Sequence, residues 1–230
     1  MYQTIYKKNI PIILLNARLT KKTFYKWRKI YFFSKNIFKK IKVAYPQNDE
    51  TANYLQNFKI SKINQIGNLK FIDTYNKNLN KINQNLKSEF KKKKIWVASS
   101  THNGEEIFCF KKYKKMKKKI KNLITIIIPR HVDRSKNIIK DLEKLNLKIN
   151  LHSSKPKNLK NVDIYLVDTF GETKKFHSIS STVFLGGSII KRGGQNPLEA
   201  ARSGSRVLHG PNIDNFKDVY RLLKKFKISK

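Results

Sequence analysis

The sequence predicts an α/β protein built on parallel sheets, and three observations support this prediction. Apolar runs of strand length alternate with helical stretches along most of the chain. The runs Ile10–Leu15 and Leu123–Ile128 are continuously apolar, which is typical of strands buried in a parallel sheet. Polar and glycine-bearing motifs follow the ends of these runs, where parallel sheets bind their ligands.

The first seventy residues are predicted to form a βαβαβ unit. Its strands are Ile10–Leu15, Lys42–Pro46 and Lys62–Ile66, and Asp49–Phe58 has the pattern of a helix. Three strands are fewer than a doubly wound domain normally contains. We therefore predict that residues 1–75 are the carboxyl-terminal part of a longer α/β domain.

A polar segment separates this unit from a second domain. Residues 76–94 are rich in Asn and Lys and are predicted to be a linker with one helix, Leu79–Phe90. Residues 95–230 are predicted to form six strand–helix units, which implies a parallel sheet with right-handed crossovers. The predicted strands are Ile95–Ala98, Leu123–Ile128, Lys148–Leu151, Ile164–Val167, Thr182–Leu185 and Arg206–Leu208. Helices are predicted after Gly104, at Asp133–Leu145, at Thr173–Ser180, after Asn196 and at Phe216–Phe226.

The composition is strongly basic. Fifty-one Lys and Arg residues against 15 Asp and Glu residues give a net charge of +36. This charge favours nucleic acid, an anionic membrane surface or a phosphorylated substrate as partner. Lysine is spread over nearly every helix and loop without a recognised nucleic-acid module, so general lysine usage explains the charge better than a specific RNA surface. The single cysteine, Cys109, excludes an intramolecular disulfide and a multi-cysteine metal site.

The stretch from Phe184 to Gly204 combines a strand end, a glycine-rich turn and a well-marked helix start. Asn196 is a good N-cap, Pro197 suits the first helical position, and Glu199 can reach back as a capping-box acid. Four glycines leave backbone N–H groups open at the positive end of this helix, where phosphate or a sugar carboxylate binds well. They are Gly186, Gly187, Gly193 and Gly194. The alternative is a capped helix after a glycine loop, with Glu199 only as a cap.

Two other strand ends supply complementary groups. Arg130 follows Pro129 as a planar cation suited to phosphate or carboxylate, although a structural salt bridge is an equal alternative. Gly171 lets the backbone approach a ligand, and Glu172 is either a helix cap or an acceptor for hydroxyl groups. A cation, a glycine turn and an acidic acceptor together describe a nucleotide site. No role is assigned to His102 or His131, because a lone His beside such a loop is more often a packing residue.

Motifs along the whole chain resemble those of the 3-deoxy-D-manno-octulosonic acid (Kdo) transferases. They are S-T-H-N-G-E-E at Ser100–Glu106, P-R-H at Pro129–His131, D-T-F-G-E at Asp168–Glu172, G-G-S at Gly186–Ser188, R-G-G-Q-N-P-L-E at Arg192–Glu199, G-P-N-I-D-N-F at Gly210–Phe216, N-A-R-L-T at Asn16–Thr20 and G-N-L-K-F at Gly67–Phe71. The resemblance implies a GT-B-like fold. A Rossmann-type parallel sheet would form the carboxyl-terminal domain, and residues 1–75 would be a remnant of the amino-terminal α/β domain.

The resemblance also implies roles for individual residues. CMP would be bound by Pro129, Arg130, Phe170, Gly171, Glu172, Asn196, Pro197, Leu198 and Glu199. Lys70 would stabilise the negative charge that develops as the glycosidic bond to the phosphate breaks; without the motif it is one more solvated lysine. The general-base glutamate of the family is expected to be absent from this chain. Gln195 stands at a position that is usually His in the family.

The resulting expectation is an inverting glycosyltransferase that needs no bound metal or cofactor. It would transfer Kdo from CMP-Kdo to a lipid A precursor, lipid IVA, at the cytoplasmic face of the inner membrane during lipopolysaccharide synthesis. A chain without the acceptor half could instead be a CMP-binding fragment that does not catalyse transfer, or it could act with a separate amino-terminal chain. A basic RNA-binding protein is the third alternative, and it predicts a steep dependence of binding on salt.

Overall fold

The computed structural model describes residues 2–69 and 82–230. Contacts within the chain divide it into two units, Met1–Tyr75 and Asn76–Lys230, which are named unit 1 and unit 2 here. The helix predicted between residues 76 and 94 begins at Gln84 and ends at Lys91 (α5). Its start is set by Asn83, whose side-chain oxygen accepts a hydrogen bond from the N–H of Asn85.

Unit 1 contains two parallel strands and four helices among its described residues. These are α1 (Tyr2–Lys7), β1 (Ile12–Ala17), α2 (Lys21–Lys29), α3 (Tyr31–Phe38), β2 (Ile41–Pro46) and α4 (Asp49–Asn57), with β1 paired to β2. The N-caps are Thr20 for α2 and Asn48 for α4, each accepting from a backbone N–H three residues on. An aromatic core holds the helices to the strands, with the Phe38 and Phe58 rings stacked at 4.7 Å between centroids.

Two predictions for unit 1 need correction. The predicted strand Lys62–Ile66 is reduced to one bridge, in which Ile63 pairs with Ala44. Only Ile63 of this segment packs on the aromatic core, while Ile66 is exposed. The first strand is also not buried on both faces, because Ile13 and Leu15 are 53% and 61% exposed. A continuous apolar run therefore overstated the burial of this strand.

Unit 2 contains a six-stranded parallel sheet in the order β5-β6-β4-β3-β7-β8. The strands are β3 (Lys94–Thr101), β4 (Leu123–Pro129), β5 (Ile149–Leu151), β6 (Ile164–Leu166), β7 (Thr182–Leu185) and β8 (Arg206–Leu208). The remaining helices are α6 (Glu105–Lys117), α7 (Ser135–Glu143), α8 (Thr173–His177), α9 (Leu198–Arg202) and α10 (Lys217–Lys225). The predicted α/β class and parallel sheet are confirmed.

Alternate side chains of each strand feed two cores on opposite faces of this sheet. In β4, Ile124 and Ile126 join the core that also contains Phe90 of α5 and Tyr220 of α10. Ile127 joins the core on the other face, together with Phe110 of α6 and residues of α7. Both faces of the central strands are therefore covered by helices, as a parallel sheet requires. No helix in residues 2–69 and 82–230 has the length and apolar content needed to cross a bilayer.

Several helices of unit 2 are shorter than the sequence predicts. The predicted helix Asp133–Leu145 opens with a 3₁₀ turn at Val132–Arg134 and ends as an α-helix at Glu143. The helix predicted at Thr173–Ser180 ends at His177, because Ser180 turns the chain into β7 by accepting from the N–H of Thr182. Such short turns are too short to show a helical repeat of apolar residues, so the sequence does not predict where these helices end.

Candidate functional site

The candidate site lies at the carboxyl ends of β3, β4 and β7. β3 has β4 on one side and β7 on the other, so the strand order reverses beside β3. In an open parallel sheet, the crevice at such a reversal is the usual position of a ligand. All nine residues that the sequence predicts for the donor site lie at or after carboxyl ends of strands β4, β6 and β7. Because these strands are parallel, these residues lie along one edge of the sheet.

Glu105, the first residue of α6, fills the glycine turn after β7 with its own carboxylate. The carboxylate accepts hydrogen bonds from the N–H groups of Gly187 (2.7 Å), Ser188 (3.1 Å) and Ile189 (3.0 Å). It also accepts one from the N–H of His102 at 3.0 Å, and the side chain is fully buried. The sequence predicts that Gly186 and Gly187 leave the backbone open to an anionic ligand. That prediction is wrong for this pair, because the N–H of Gly187 donates to Glu105 and the N–H of Gly186 donates to the carbonyl of Ser99 at 2.8 Å.

Two glycines of this region are required by close packing of the backbone. A Cβ atom on Gly186 would lie 2.3 Å from the carbonyl oxygen of Ser100, where β7 runs against the end of β3. A Cβ atom on Gly210 would lie 2.4 Å from the carbonyl oxygen of Ser188. Both distances are far below van der Waals contact. These glycines therefore hold the loops together, whereas the sequence reasoning assigned Gly186 to ligand approach.

The second glycine pair is folded onto the first by main-chain bonds. The N–H of Gly194 donates to the carbonyl of Gly187 at 2.8 Å, and the N–H of Asn215 donates to the carbonyl of Gly193 at 3.0 Å. Asn212 braces the same turn by donating from its side chain to the carbonyl of Ile189 at 2.9 Å. The motif G-P-N-I-D-N-F thus supports the loop. Gly193 and Gly194 have φ angles of 81° and 74°, which disfavour any other residue.

His102 faces Gly187 and Gln195 in this crevice. A Cβ atom on Gly187 would lie 3.5 Å from Cδ2 of His102 and 3.4 Å from Nε2 of Gln195. Burial lowers the pKa of His102, and the charges of Arg192, His131 and Arg134 act in the same direction against the opposing effect of Glu105. The Nε2 atom is buried and has no hydrogen-bond partner among the described residues. His102 is therefore a neutral side chain at pH 7.

A buried ion pair positions the loop after β3. The Arg134 guanidinium binds both carboxylate oxygens of Glu106, at 2.8 and 3.1 Å, and donates to the carbonyl of Thr101 at 3.3 Å. A bidentate pair fixes geometry as well as charge. No sequence pattern pairs these residues, which are 28 positions apart. Glu106 was interpreted only as an acid that favours the start of α6.

Arg130 places an available cation at the centre of the edge. Its N–H donates to the carbonyl of Thr101 at 3.0 Å, which fixes the backbone directly after Pro129. The residue is exposed, and its guanidinium forms no ion pair with any described residue. The structural salt bridge that the sequence left open is thus not formed within residues 2–69 and 82–230. The guanidinium is available to an anionic ligand.

The loop after β6 presents a ring and an acid. Phe170 is 81% exposed, and Gly171 has a φ of 81°, in the region that favours glycine. Glu172 pairs with Lys175 at 2.9 Å and lies 3.6 Å from Nε2 of His152. Glu172 takes the N-cap position of α8, although its side chain forms no capping hydrogen bond. The carboxylate is instead held beside a lysine, and its role as an acceptor for hydroxyl groups stays a prediction.

The end of the glycine loop leads into α9, which has only five residues, Leu198–Arg202. The side-chain oxygen of Asn196 accepts from the N–H of Leu198 at 3.1 Å, but Asn196 lies one residue before the N-cap position, where it was predicted to be. Pro197 occupies the position before the helix rather than its first turn. The Oε1 atom of Glu199 lies 3.7 Å from Nδ1 of His177, which is buried on α8. Burial lowers the pKa of His177 to about 4, so the contact is not an ion pair at pH 7.

Lys70 lies outside the described residues, but hydrogen bonds hold the two residues before it against the loops that follow β1 and β2. The N–H of Leu69 donates to the side-chain oxygen of Asn16 at 3.1 Å, and the side chain of Asn68 donates to Gln47 at 3.2 Å. Gln47 in turn donates to the carbonyl of Asn16 at 2.8 Å. The motifs N-A-R-L-T and G-N-L-K-F are therefore joined at the carboxyl end of β1.

The fold is GT-B-like, with a Rossmann-type parallel sheet in unit 2. The chain superposes on the crystal structure of the C-terminal CMP-Kdo binding domain of WaaA from Acinetobacter baumannii with a TM-score of 0.56 and 25% identity. The superposition covers 59% of this chain and 71% of that domain. Residues 1–73 match the family described as 3-deoxy-D-manno-octulosonic-acid transferase (kdotransferase).

Individual relatives narrow this class. The 3-deoxy-D-manno-octulosonic acid transferase of Haemophilus influenzae is 30% identical over 224 residues, which are 95% of this chain and 52% of that protein. The enzyme of the same name from Rickettsia bellii is 31% identical over 216 residues, covering 92% and 50%. The chain is thus a homologue of the Kdo transferases, which confirms the resemblance of the motifs. It spans about half the length of the curated relatives it matches.

The geometry suits binding of an anionic ligand by side chains. Within the described residues, no three His, Cys, Asp or Glu side chains come together as a metal site needs. The groups available at the edge are the Arg130 guanidinium, the exposed Phe170 ring and the polar residues around Asn196. A planar cation and an exposed ring are suited to a phosphate and a base, respectively.

Proposed function

We propose that unit 2 binds CMP-Kdo and that the chain is the donor-side part of a Kdo transferase. The observation that supports this most directly is the exposed Arg130 guanidinium, which has no carboxylate partner among the described residues and lies at the reversal of the strand order. Pro129 and Arg130 would hold the phosphate. Phe170 and Gly171 would contact the cytosine, with Glu172 beside them. Asn196, Pro197, Leu198 and Glu199 would hold the ribose hydroxyls.

In the proposed reaction, a hydroxyl oxygen of the acceptor bonds to the anomeric carbon of Kdo while the bond from that carbon to the phosphate oxygen breaks. The electron pair leaves with CMP, and the hydroxyl proton passes to the family's general-base glutamate, which a separate amino-terminal chain would supply. Inversion follows from attack on the face opposite the leaving group. Arg130 and Lys70 would offset the charge that grows on the phosphate, so no metal or cofactor is needed in this proposal.

The acceptor and the membrane are further parts of the proposal. The family resemblance suggests a lipid A precursor, lipid IVA, as acceptor in lipopolysaccharide synthesis. Phe32 and Phe33 on α3 are 85% and 60% exposed, and lysines of α2 and α3 accompany them in the sequence. Exposed rings beside basic residues are typical of peripheral binding to an anionic bilayer. We therefore propose a peripheral location at the cytoplasmic face of the inner membrane.

The test is calorimetric titration of the full chain with CMP. Wild-type protein should bind CMP, and Arg130→Ala should weaken binding about tenfold or more, because a hydrogen bond to a charged group contributes roughly 1.5–3 kcal/mol. Glu199→Ala should weaken it in the same direction. Lys140→Ala, an exposed lysine on α7, serves as the matched control and should bind normally. Absence of CMP binding by the folded wild type would overturn the donor-site assignment.

A CMP-binding chain without transfer activity is the second candidate, because the chain spans only about half of its relatives. The two candidates share the binding result and differ in turnover. Incubation with CMP-Kdo and a lipid A precursor in vesicles should release CMP if the chain is an active transferase. Binding of CMP without this release would favour the second candidate.

A further inference from the structure

One buried histidine of unit 2 has no role in the proposed function. His177, the last residue of α8, is 2% exposed, and neither of its ring nitrogens has a hydrogen-bond partner among the described residues. Two other histidines show the usual arrangement, since Nδ1 of His152 lies 2.8 Å from the Tyr165 hydroxyl and Nδ1 of His209 lies 2.7 Å from the Gly210 carbonyl. A buried polar group without a partner destabilises a fold, so its presence calls for an explanation.

A carboxylate of the candidate site lies beside this ring. Nδ1 of His177 is 3.7 Å from Oε1 of Glu199, the second residue of α9. This separation is slightly too long for a hydrogen bond. Oε1 is buried, whereas the Glu199 side chain as a whole is 34% exposed. One part of the carboxylate therefore faces the buried ring, and the exposed part of the side chain can contact a ligand.

The main chain holds the ring in this position. Ser205 is buried just before β8, and its Oγ atom lies 3.1 Å from the carbonyl oxygen of His177 and 2.7 Å from that of Ser180. α8 directly follows the loop at 170–172, and Glu199 lies in the helix that follows the glycine loop. A contact between His177 and Glu199 therefore joins the two loops that the proposed function assigns to the nucleoside.

The His177 ring can supply one hydrogen-bond donor to this contact. Burial lowers its pKa to about 4, so the ring is neutral at pH 7 and carries a single N–H. A hydrogen bond from that N–H to a carboxylate is charge-assisted and stronger than one between two neutral groups. Hydrogen bonds in ligand-free sites are often long and shorten when the ligand binds. A movement of roughly 1 Å brings Nδ1 and Oε1 within hydrogen-bond distance.

We propose that His177 is a positioning residue of the donor site, whose Nδ1–H donates to Glu199 and fixes the carboxylate in the orientation that binds the ribose hydroxyls. His177 does not itself contact the nucleotide. A carboxylate that is already oriented loses less conformational freedom when the ligand binds, so its hydrogen bonds to the hydroxyls contribute more to affinity. The inference rests on the proposed function, because the assignment of Glu199 to the ribose belongs to it.

The test compares CMP with 2′,3′-dideoxy-CMP, which lacks both ribose hydroxyls, by calorimetric titration of the full chain. Wild-type protein should bind CMP at least about tenfold more tightly than the dideoxy nucleotide. His177→Phe keeps a buried ring but removes the N–H. This variant should bind CMP about fivefold more weakly and the dideoxy nucleotide with unchanged affinity, so the preference for CMP falls to about twofold.

Three further variants separate positioning from a purely structural role. His177→Asn keeps an amide N–H near the position of Nδ1 and should retain the preference of the wild type within about twofold. The double variant His177→Phe with Glu199→Ala should bind CMP no more weakly than Glu199→Ala alone, because His177 acts through Glu199. Ser178→Ala, at the exposed neighbouring residue, is the control and should bind both nucleotides normally. Each preference is a ratio measured on one preparation, so partial unfolding of a variant does not change it.

An unchanged preference for CMP in His177→Phe, even with both affinities reduced, would mean that the ring only supports the fold, and it would overturn the proposal. The same conclusion would follow if His177→Asn lost the preference as fully as His177→Phe, or if the losses in the double variant were additive. Wild-type protein that binds both nucleotides equally would overturn the role of His177 and leave CMP binding intact. Wild-type protein that binds neither nucleotide would overturn the proposed function as well.

Discussion

At the scale of single residues, the candidate site is organised by carboxylates that hold loops together. Glu105 binds four backbone N–H groups from two loops, and Glu106 binds Arg134. Arg130 remains exposed beside these contacts. A buried charge is tolerated only when hydrogen bonds replace its hydration. The same rule makes Glu105 a residue that the fold depends on.

Replacement of Glu105 by Gln should destabilise the protein strongly. The amide has one acceptor oxygen, and its NH₂ group would face backbone N–H groups that donate to the carboxylate in the native protein. Loss of hydrogen bonds to a buried charge predicts a fall of about 3 kcal/mol in the free energy of unfolding. The urea midpoint measures this. Glu143→Gln, at the exposed end of α7, is the control, and equal midpoints for the two variants would contradict the prediction.

His177 should make the protein less stable in acid. Burial lowers its pKa to about 4, whereas an unfolded histidine titrates near 6.5. Between these values the unfolded chain binds the extra proton, so stability falls as the pH is lowered from 7 towards 4. The loss from pH 7 to pH 5 is about 2 kcal/mol from this residue.

The check is urea unfolding of wild type and His177→Phe at both pH values. The variant keeps an apolar ring in the buried position but has no proton to bind. Its free energy of unfolding should therefore fall by about 2 kcal/mol less than that of the wild type. An identical pH dependence for the two proteins would show that His177 is protonated in the folded state or does not titrate.

At the scale of elements, the sequence predicts the strands of unit 2 well because each is a short apolar run followed by a polar turn. Thr182–Leu185 and Arg206–Leu208 have the predicted bounds. The apolar pattern fails to predict an element where tertiary packing determines whether a segment forms a strand or how long a helix is. Lys62–Ile66 has strand composition, but only Ile63 reaches a partner. The helix after Asn196 is cut to five residues because the chain must return into β8.

At the scale of the whole molecule, the order of the motifs was enough to predict the similarity to the Kdo transferases, but the internal contacts of the site were not predictable. Parallel strands bring Arg130 and Asn196 to one edge, and this follows from topology alone. The insertion of Glu105 into a glycine turn some eighty residues away in sequence follows from no local pattern. Glycine-rich turns indicate that another group lies close to the backbone. Here that group is in part the backbone of another segment of the same protein, not a ligand.

The net charge of +36 is also a property of the whole molecule. It predicts that the protein binds both oligonucleotides and CMP, and the salt dependence of the affinity should distinguish the two. A single-stranded oligonucleotide contacts many lysines, so its affinity should fall by about a thousandfold or more between ~50 and ~200 mM salt. CMP has one phosphate and should lose far less affinity. Glu199→Ala should weaken the binding of CMP and leave the binding of the oligonucleotide unchanged, because Glu199 offers no positive charge to nucleic acid. Filter binding and calorimetry over the same salt series measure both. Equally steep slopes for the two ligands, together with no effect of Glu199→Ala on CMP, would mean that CMP is held only by the general field of the lysines.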